Sequence, residues 1–297
     1  MKEPVLFKQI DAIFESGKPG PAVRALSAKK GTSRSEFAEW TTPSEGTSLW
    51  EIGLLAEEEA QLEYVFVQNL PLLDGAGKAV DSISRLHVTA QANATVNLTI
   101  VQSGSAKSLI EVVAHCHGKN SEIHIRGLQN ARGSQKLATT VQALHDVPHT
   151  KSDLSVWCVA RDQSHSVFNG IVTIKEGAHH TEAYQKNKNL NLSAHATIDS
   201  FPKLFIANHD VKCAHGSSTS TLDPDQALYL QSRGIDLEAG EKMLVNGFLR
   251  QAVEWISNSE VKEKVYSLLE VNDAGSDSEK DDWDLTSVAT YGNEETQ

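Results

Sequence analysis

The sequence predicts a mainly β protein, a solenoid of stacked coils with helical segments at either end. Three observations carry this. Between about residues 48 and 212 the chain breaks into short alternating runs, among them RLHVTA, TVNLTI, SLIEVVAH, EIHIRGL, FNGIVTI and KLFIANHDV. Clusters of Gly, Asn, Asp and Ser divide these runs roughly every dozen residues, the pattern of an all-β unit. Several runs also repeat one arrangement, a small or polar turn followed by alternation: QANATVNLTI, HGKNSEIHIRG, SAHATIDSFPKLFI. Coils that bury their apolar face only by stacking on one another would read this way. After Ser220 the periodicity becomes helical. A jelly roll or sandwich uses the same short strands, and periodicity alone leaves that alternative open.

In chain order, Leu6, Ile10, Ile13 and Phe14 share one face of a helix over about 4–16, with Gly17 as its stop. A second helix is expected from Pro21 to Gly31. Together they form a short N-terminal helical segment, 1–47. The β core follows over 48–220; within TVNLTI, alternation puts Val96, Leu98 and Ile100 on one buried face. A helical subdomain is expected over 221–270. Asp223 and Pro224 start its first helix and Gly234 ends it. Asp236 caps a second helix, with an apolar face through Leu244, Phe248, Ala252 and Ile256, and Ser259 caps a third. The tail, 271–297, reads as disordered: from Glu270 onward it carries nine acids against one lysine, and so most of the net charge of −12.

Composition narrows the functional classes. Without a basic stripe to displace counterions, nucleic-acid binding is not expected. The start of the chain has no export signal and no apolar run is long enough for a bilayer, so a cytoplasmic protein without membrane attachment is expected. The three cysteines, Cys116, Cys158 and Cys213, are far apart and form no CxxC, which disfavours disulfides and zinc modules and fits a reducing compartment. No GxxxxGK[ST] loop and no GxSxG elbow is present, so neither ATP hydrolysis nor a nucleophile triad is indicated.

One pair of residues has metal-ligating chemistry. Cys213 and His215, at i and i+2 in VKCAHGSS, point to one face of a strand, and His209 joins them if that strand is regular. Two ligands do not complete a coordination sphere, and a small buried Cys beside a surface His is the ordinary alternative. In HCH (115–117) alternation separates Cys116, read as core, from the two histidines.

Three blocks of sequence carry a family resemblance. FNGIVTIKEGAHHTEAYQKNKNLNLS (168–193), IDSFPKLFIANHDVKCAHGSS (198–218) and ALYLQSRGI (227–235) resemble motifs of the SufB/SufD family, components of the SUF iron–sulfur cluster assembly machinery. LEYVFVQ and PHTKSDLSVWCV are looser echoes upstream. Leu230 stands where SufB-like chains carry a cysteine, and Cys213 is a residue they lack, so the chain is similar to the SufD type. His209 departs from the aspartate of many members.

The resemblance implies a right-handed parallel β-helix and a non-enzymatic scaffold subunit. It also implies a transient iron–sulfur cluster at an interface with a SufB-like partner, with His215 as the ligand candidate and Cys213 beside it. The C-terminal helices would dock a SufC-like ATPase through Tyr229, Arg233, Gly234, Leu244, Phe248 and Ile256. A homodimer in isolation is a further implied state. The alternatives are a SufD-like chain that only completes the complex, or a β-helix carbohydrate-active enzyme, which would need paired carboxylates in a cleft.

Overall fold

The computed structural model describes residues 23–41 and 48–269. Two seven-stranded sheets, parallel throughout, face each other. The first contains β1 (Val23–Ala28), β3 (Ser48–Ala56), β5 (Asp81–Ala90), β7 (Lys107–Cys116), β9 (Lys136–His145), β11 (His165–Ile174) and β13 (Thr197–Ile206), in that order. The second contains β2 (Ser33–Trp40), β4 (Gln61–Leu70), β6 (Thr95–Gly104), β8 (Glu122–Ala131), β10 (Lys151–Ala160), β12 (Thr181–Asn191) and β14 (Val211–Ser220). Each strand pairs with the next but one in sequence, so the chain winds as a solenoid and the sandwich alternative falls. The strand-to-strand step is about 4.8 Å, which stacks like positions directly over one another.

This register makes columns. Tyr64, Leu98, Ile125 and Leu154 form one inside the second sheet, and Ile52, Leu86, Val112 and Val141 form another opposite it. All eight are buried, as are Val96, Leu98 and Ile100 of TVNLTI and the thiol of Cys116. Each inward row meets its own neighbours above and below, so a one-residue slip would place polar side chains inside and is heavily penalised.

The turns stack as well. Glu59, Asn93, Asn120, His149 and His180 occupy equivalent corners with left-handed backbone. Backbone amides link the corners from coil to coil: Glu59 N–H donates to Ala92 O (2.9 Å), Asn93 N–H to Lys119 O (2.9 Å) and His149 N–H to His179 O (2.8 Å). Asn is among the residues that adopt this conformation most readily, and here Asn120 Nδ2 also donates to Asn93 Oδ1 of the coil below at 2.9 Å.

A polar seam runs through the apolar interior. Ser84 Oγ donates to Gln68 Oε1 (2.9 Å), Gln129 Nε2 to Gln102 Oε1 (2.9 Å), Cys158 Sγ to Gln129 Oε1 (3.0 Å) and Asn187 Nδ2 to Cys158 Sγ (3.6 Å). Because these buried groups satisfy one another, the seam avoids the cost of unmade hydrogen bonds. Burial pushes the Cys116 and Cys158 thiols up to about 12, so both stay protonated.

His145 is a second buried polar group, with Nδ1 2.8 Å from Thr150 Oγ1 and Nε2 2.9 Å from Ser152 Oγ. Burial lowers its pKa from 6.5 to about 4. Its folded value lies below its unfolded one, so its contribution is complete above pH 6.5 and is lost as pH falls toward 4. The loss over that window is about 3 kcal/mol. Urea unfolding at stepped pH should show the wild type losing that much more stability than His145→Gln between pH 7 and pH 4. Parallel slopes for the two proteins would show that His145 does not titrate with unfolding.

The helix expected over 21–31 is replaced by strand β1. VRALSA contains good helix formers, but Leu26 and Ala28 alternate inward and pair with Leu54 and Ala56 of β3, adding a coil to the stack. Gly31 (φ 66°) lies in the turn after it and donates its N–H to Glu58 O (3.0 Å). The helix expected over 4–16 and the tail 271–297 lie outside the described residues.

Three helices follow the last coil: α1 (Pro224–Ser232), α2 (Leu237–Val253) and α3 (Ser259–Leu269). Asp223 and Asp236 cap α1 and α2 by accepting from the N–H of Asp225 and Ala239 respectively, and Gly234 (φ 83°) turns the chain between them. Asn258, rather than Ser259, accepts from the N–H of Glu260 and Val261 at the start of α3. The buried face of α2 runs through Val245, Leu249, Ala252 and Val253; of the expected stripe Ala252 and Ile256 are buried, whereas Leu244 and Phe248 are half-buried. It packs on the outer side of the second sheet with Val65, Val101, Leu128, Trp157 and Val159. Arg126, paired with Asp153 at 2.8 Å, also holds the indole of Trp255, 4.6 Å from its centroid. No helix among the described residues is long and apolar enough to cross a membrane.

Candidate functional site

The stack ends at β13 and β14. Each is bonded to a neighbour on one side and is the last strand of its sheet. Beyond them the described chain turns away into α1, which leaves the end of the solenoid open at both backbone edges. Phe201, Phe205 and Ile206 of β13 are each about half exposed (49%, 57%, 45%), whereas Ile174, the register partner of Ile206 one coil below, is buried.

β14 places Cys213 and His215 on the inward row of this end coil. Cys213 pairs in register with Ala183, and His215 with Gln185. Cys213 is half-buried and packs against the solenoid core, and that burial raises its thiol pKa, against a backbone hydrogen bond involving Ala183. His215 is exposed, because no strand of the described residues lies beyond β14 in its sheet. His209 does not join them: β14 begins at Val211, and His209 lies in the bend before it. Ser217, next on the row, donates to Ser200 Oγ (2.9 Å) of β13 and so ties the two open strands together. Among the described residues no group of three or more His, Cys, Asp or Glu side chains could by itself hold a metal ion. The end coil thus supplies one free imidazole, one shielded thiol and an unfinished backbone edge.

Sequence reasoning missed Gln185. It is buried (1% exposed) in the column Tyr64–Leu98–Ile125–Leu154, one coil below His215. The alternation Ala183-x-Gln185-x-Asn187 could have shown a polar side chain at a core position.

The residues expected on the docking face divide into two sets. Tyr229 is exposed (58%), and its ring lies 5.2 Å below the Arg233 guanidinium at the end of α1. Leu244 joins Asp225, Gln226, Tyr229 and Leu230 in an open groove of about 320 Å³ between α1 and α2; Leu228 and Met243 on the same two helices are exposed. Gly234 is the exposed turn beside it. Phe248 is half-buried against the α2 core, and Ile256 is fully buried there, so neither contributes a free apolar surface comparable to Tyr229.

Residues 29–248 match the family described as "SUF system FeS cluster assembly, SufBD core domain". The chain belongs to this family. Among curated relatives of this SufBD chain, the chloroplastic protein ABCI7 of Arabidopsis thaliana is 27% identical over 226 residues, 76% of this chain and 45% of the relative. The iron–sulfur cluster assembly protein SufD of Bacillus subtilis is 35% identical over 139 residues, 47% of this chain and 32% of the relative. SufD of Escherichia coli is 28% identical over 149 residues, 50% and 35% respectively. The chain therefore matches less than half the length of each of these three relatives. The matched span takes in the whole open coil and most of α2, so the SufBD core includes both the Cys213/His215 row and the groove. Nothing in these matches supports a carbohydrate-active enzyme.

Proposed function

We propose that the chain is a non-catalytic, SufD-like scaffold subunit of the SUF assembly complex. Its open end coil pairs with a SufB-like subunit, His215 faces the iron–sulfur cluster built at that junction, and α1 and α2 dock a SufC-like ATPase. The observation that carries this reading is the end of the solenoid: two unpaired strand edges with an exposed imidazole on their inward row. An edge of that kind is completed by strands from another chain, and any group on its row then becomes interfacial. Two of the relatives bear the name SufD, which supports the choice of subunit type. Cluster ions are the cargo here: one imidazole holds them only while the partner supplies the remaining ligands. A homodimer through the same end is the state available to the chain alone, and cytoplasmic residence fits a reducing environment for its free thiols.

Co-expression with SufB-like and SufC-like partners tests the reading. A complex of all three should purify and retain iron and sulfide under anaerobic conditions. A stable complex that holds neither would leave the chain as an interaction partner only. Replacing Leu228 and Tyr229 together by Asp should cut capture of the ATPase by roughly ten-fold or more, since exposed aromatic and aliphatic anchors dominate such contacts. Circular dichroism should be unchanged, because neither side chain is buried. Undiminished capture would move the docking face off the α1–α2 groove.

A further inference from the structure

Gln185 is out of place in an apolar column. Below it in register stand Leu154, Ile125, Leu98 and Tyr64; above it stands His215. Its side chain is buried, yet neither amide atom has a hydrogen-bond partner. The amides of Gln68, Gln102, Gln129 and Asn187 all bond within the polar seam, so the interior can satisfy such groups where it keeps them. The opposite wall is shaped to admit this side chain. The column Ile52–Leu86–Val112–Val141 gives way to Gly170, and a Cβ there would lie 1.9 Å from Gln185 Nε2. Gly170 has thus yielded its volume to an amide that bonds to nothing inside the coil. An unmade buried hydrogen bond is costly, and an aliphatic residue would fill the same column without that cost.

We propose that Gln185 is a positioning residue for His215: its side-chain carbonyl, unbonded where the structure places it beside Gly170, swings toward the open coil to accept the N–H of one ring nitrogen and so turns the lone pair of the other toward the junction. This rests on the reading of His215 as the ligand. A ligating imidazole needs its second nitrogen held by an acceptor, which fixes both tautomer and ring plane. Parallel neighbours at about 4.8 Å on one inward row bring the two side chains within reach. No other amide on that row is both adjacent to His215 and free of partners: Asn187 bonds to Val156 O, and Asn189 to Thr219.

The test uses the full chain labelled with ¹⁵N-histidine, the His215 ring signals being assigned by their loss in His215→Ala. In the wild type the ring should hold one tautomer. In Gln185→Met, which keeps the length and loses the amide, it should relax to the mixture of a solvent-exposed imidazole. The melting temperature of Gln185→Met should not fall below that of the wild type, because the methionine trades one bond to an exposed imidazole for the removal of a buried amide nitrogen that has no partner. Ring signals that do not move, or a lowered melting temperature, would overturn the proposal, the second by giving the amide a structural role. Gly170→Ala, whose methyl displaces the amide, carries the same spectral test should Gln185→Met not fold. Iron content of the His215→Ala complex decides the ligand assignment separately, so the two readings can fail independently.

Discussion

On the proposed function, His215→Ala should lower the iron and sulfide held per assembled complex by roughly ten-fold or more, the scale expected when a ligand or its support is lost, while Cys213→Ala should keep the larger part. The difference follows from where the end coil places each side chain. His215 is exposed on the inward row, whereas Cys213 packs on the core and its thiol is held protonated by burial. Neither change should disturb assembly, because one side chain is a small part of the proposed contact, made by two strand edges and the exposed Phe201, Phe205 and Ile206. Visible absorption together with iron and sulfide analysis, on equal amounts of purified complex, reads the outcome. Full cluster yield from His215→Ala would remove the ligand and leave an interaction-only subunit.

Phe168→Ala should cost about 3–5 kcal/mol of stability. Phe168 is fully buried in the solenoid core. A Cβ on Gly170 would lie 2.8 Å from its ring as well as against the Gln185 amide, so the ring and the amide share one crowded layer directly below the open coil. Truncation leaves a void that parallel, doubly bonded strands cannot close by shifting. Urea unfolding of the purified chain measures the cost, and a loss below about 1 kcal/mol would mean that the layer collapses around the gap. The same variant should weaken cluster retention in the complex, since the floor beneath His215 loses its support.

Much of this architecture was legible because strand alternation and turn chemistry agree at every coil. TVNLTI and EIHIRGL show their buried rows directly, and the Asp223, Gly234 and Asp236 signals bound α1 and α2 as found. Legibility failed where two readings satisfy the same local rule. VRALSA suits a helix by propensity, and only its register with β3 makes it a strand. Leu244/Phe248 and Val245/Leu249 are both apolar rows of one helix, and the choice between them is made by the outer face of the second sheet, far away in sequence. His215 was visible as a residue type at a strand end. Gln185 was not, because its meaning depends on a column assembled from five coils and on a glycine in the opposite wall.

The open end also governs how many molecules can join. Two chains that meet end to end through β13 and β14 use the same surface on both sides, so the contact has a two-fold axis and is consumed in forming it. Growth by that surface stops at two, and a β stack that would otherwise template a fibre becomes a closed pair. On the proposed function, a SufB-like chain and a second copy of this one would compete for that single place. The ratio in which the two chains are made would then decide how much of the protein stands in each kind of pair.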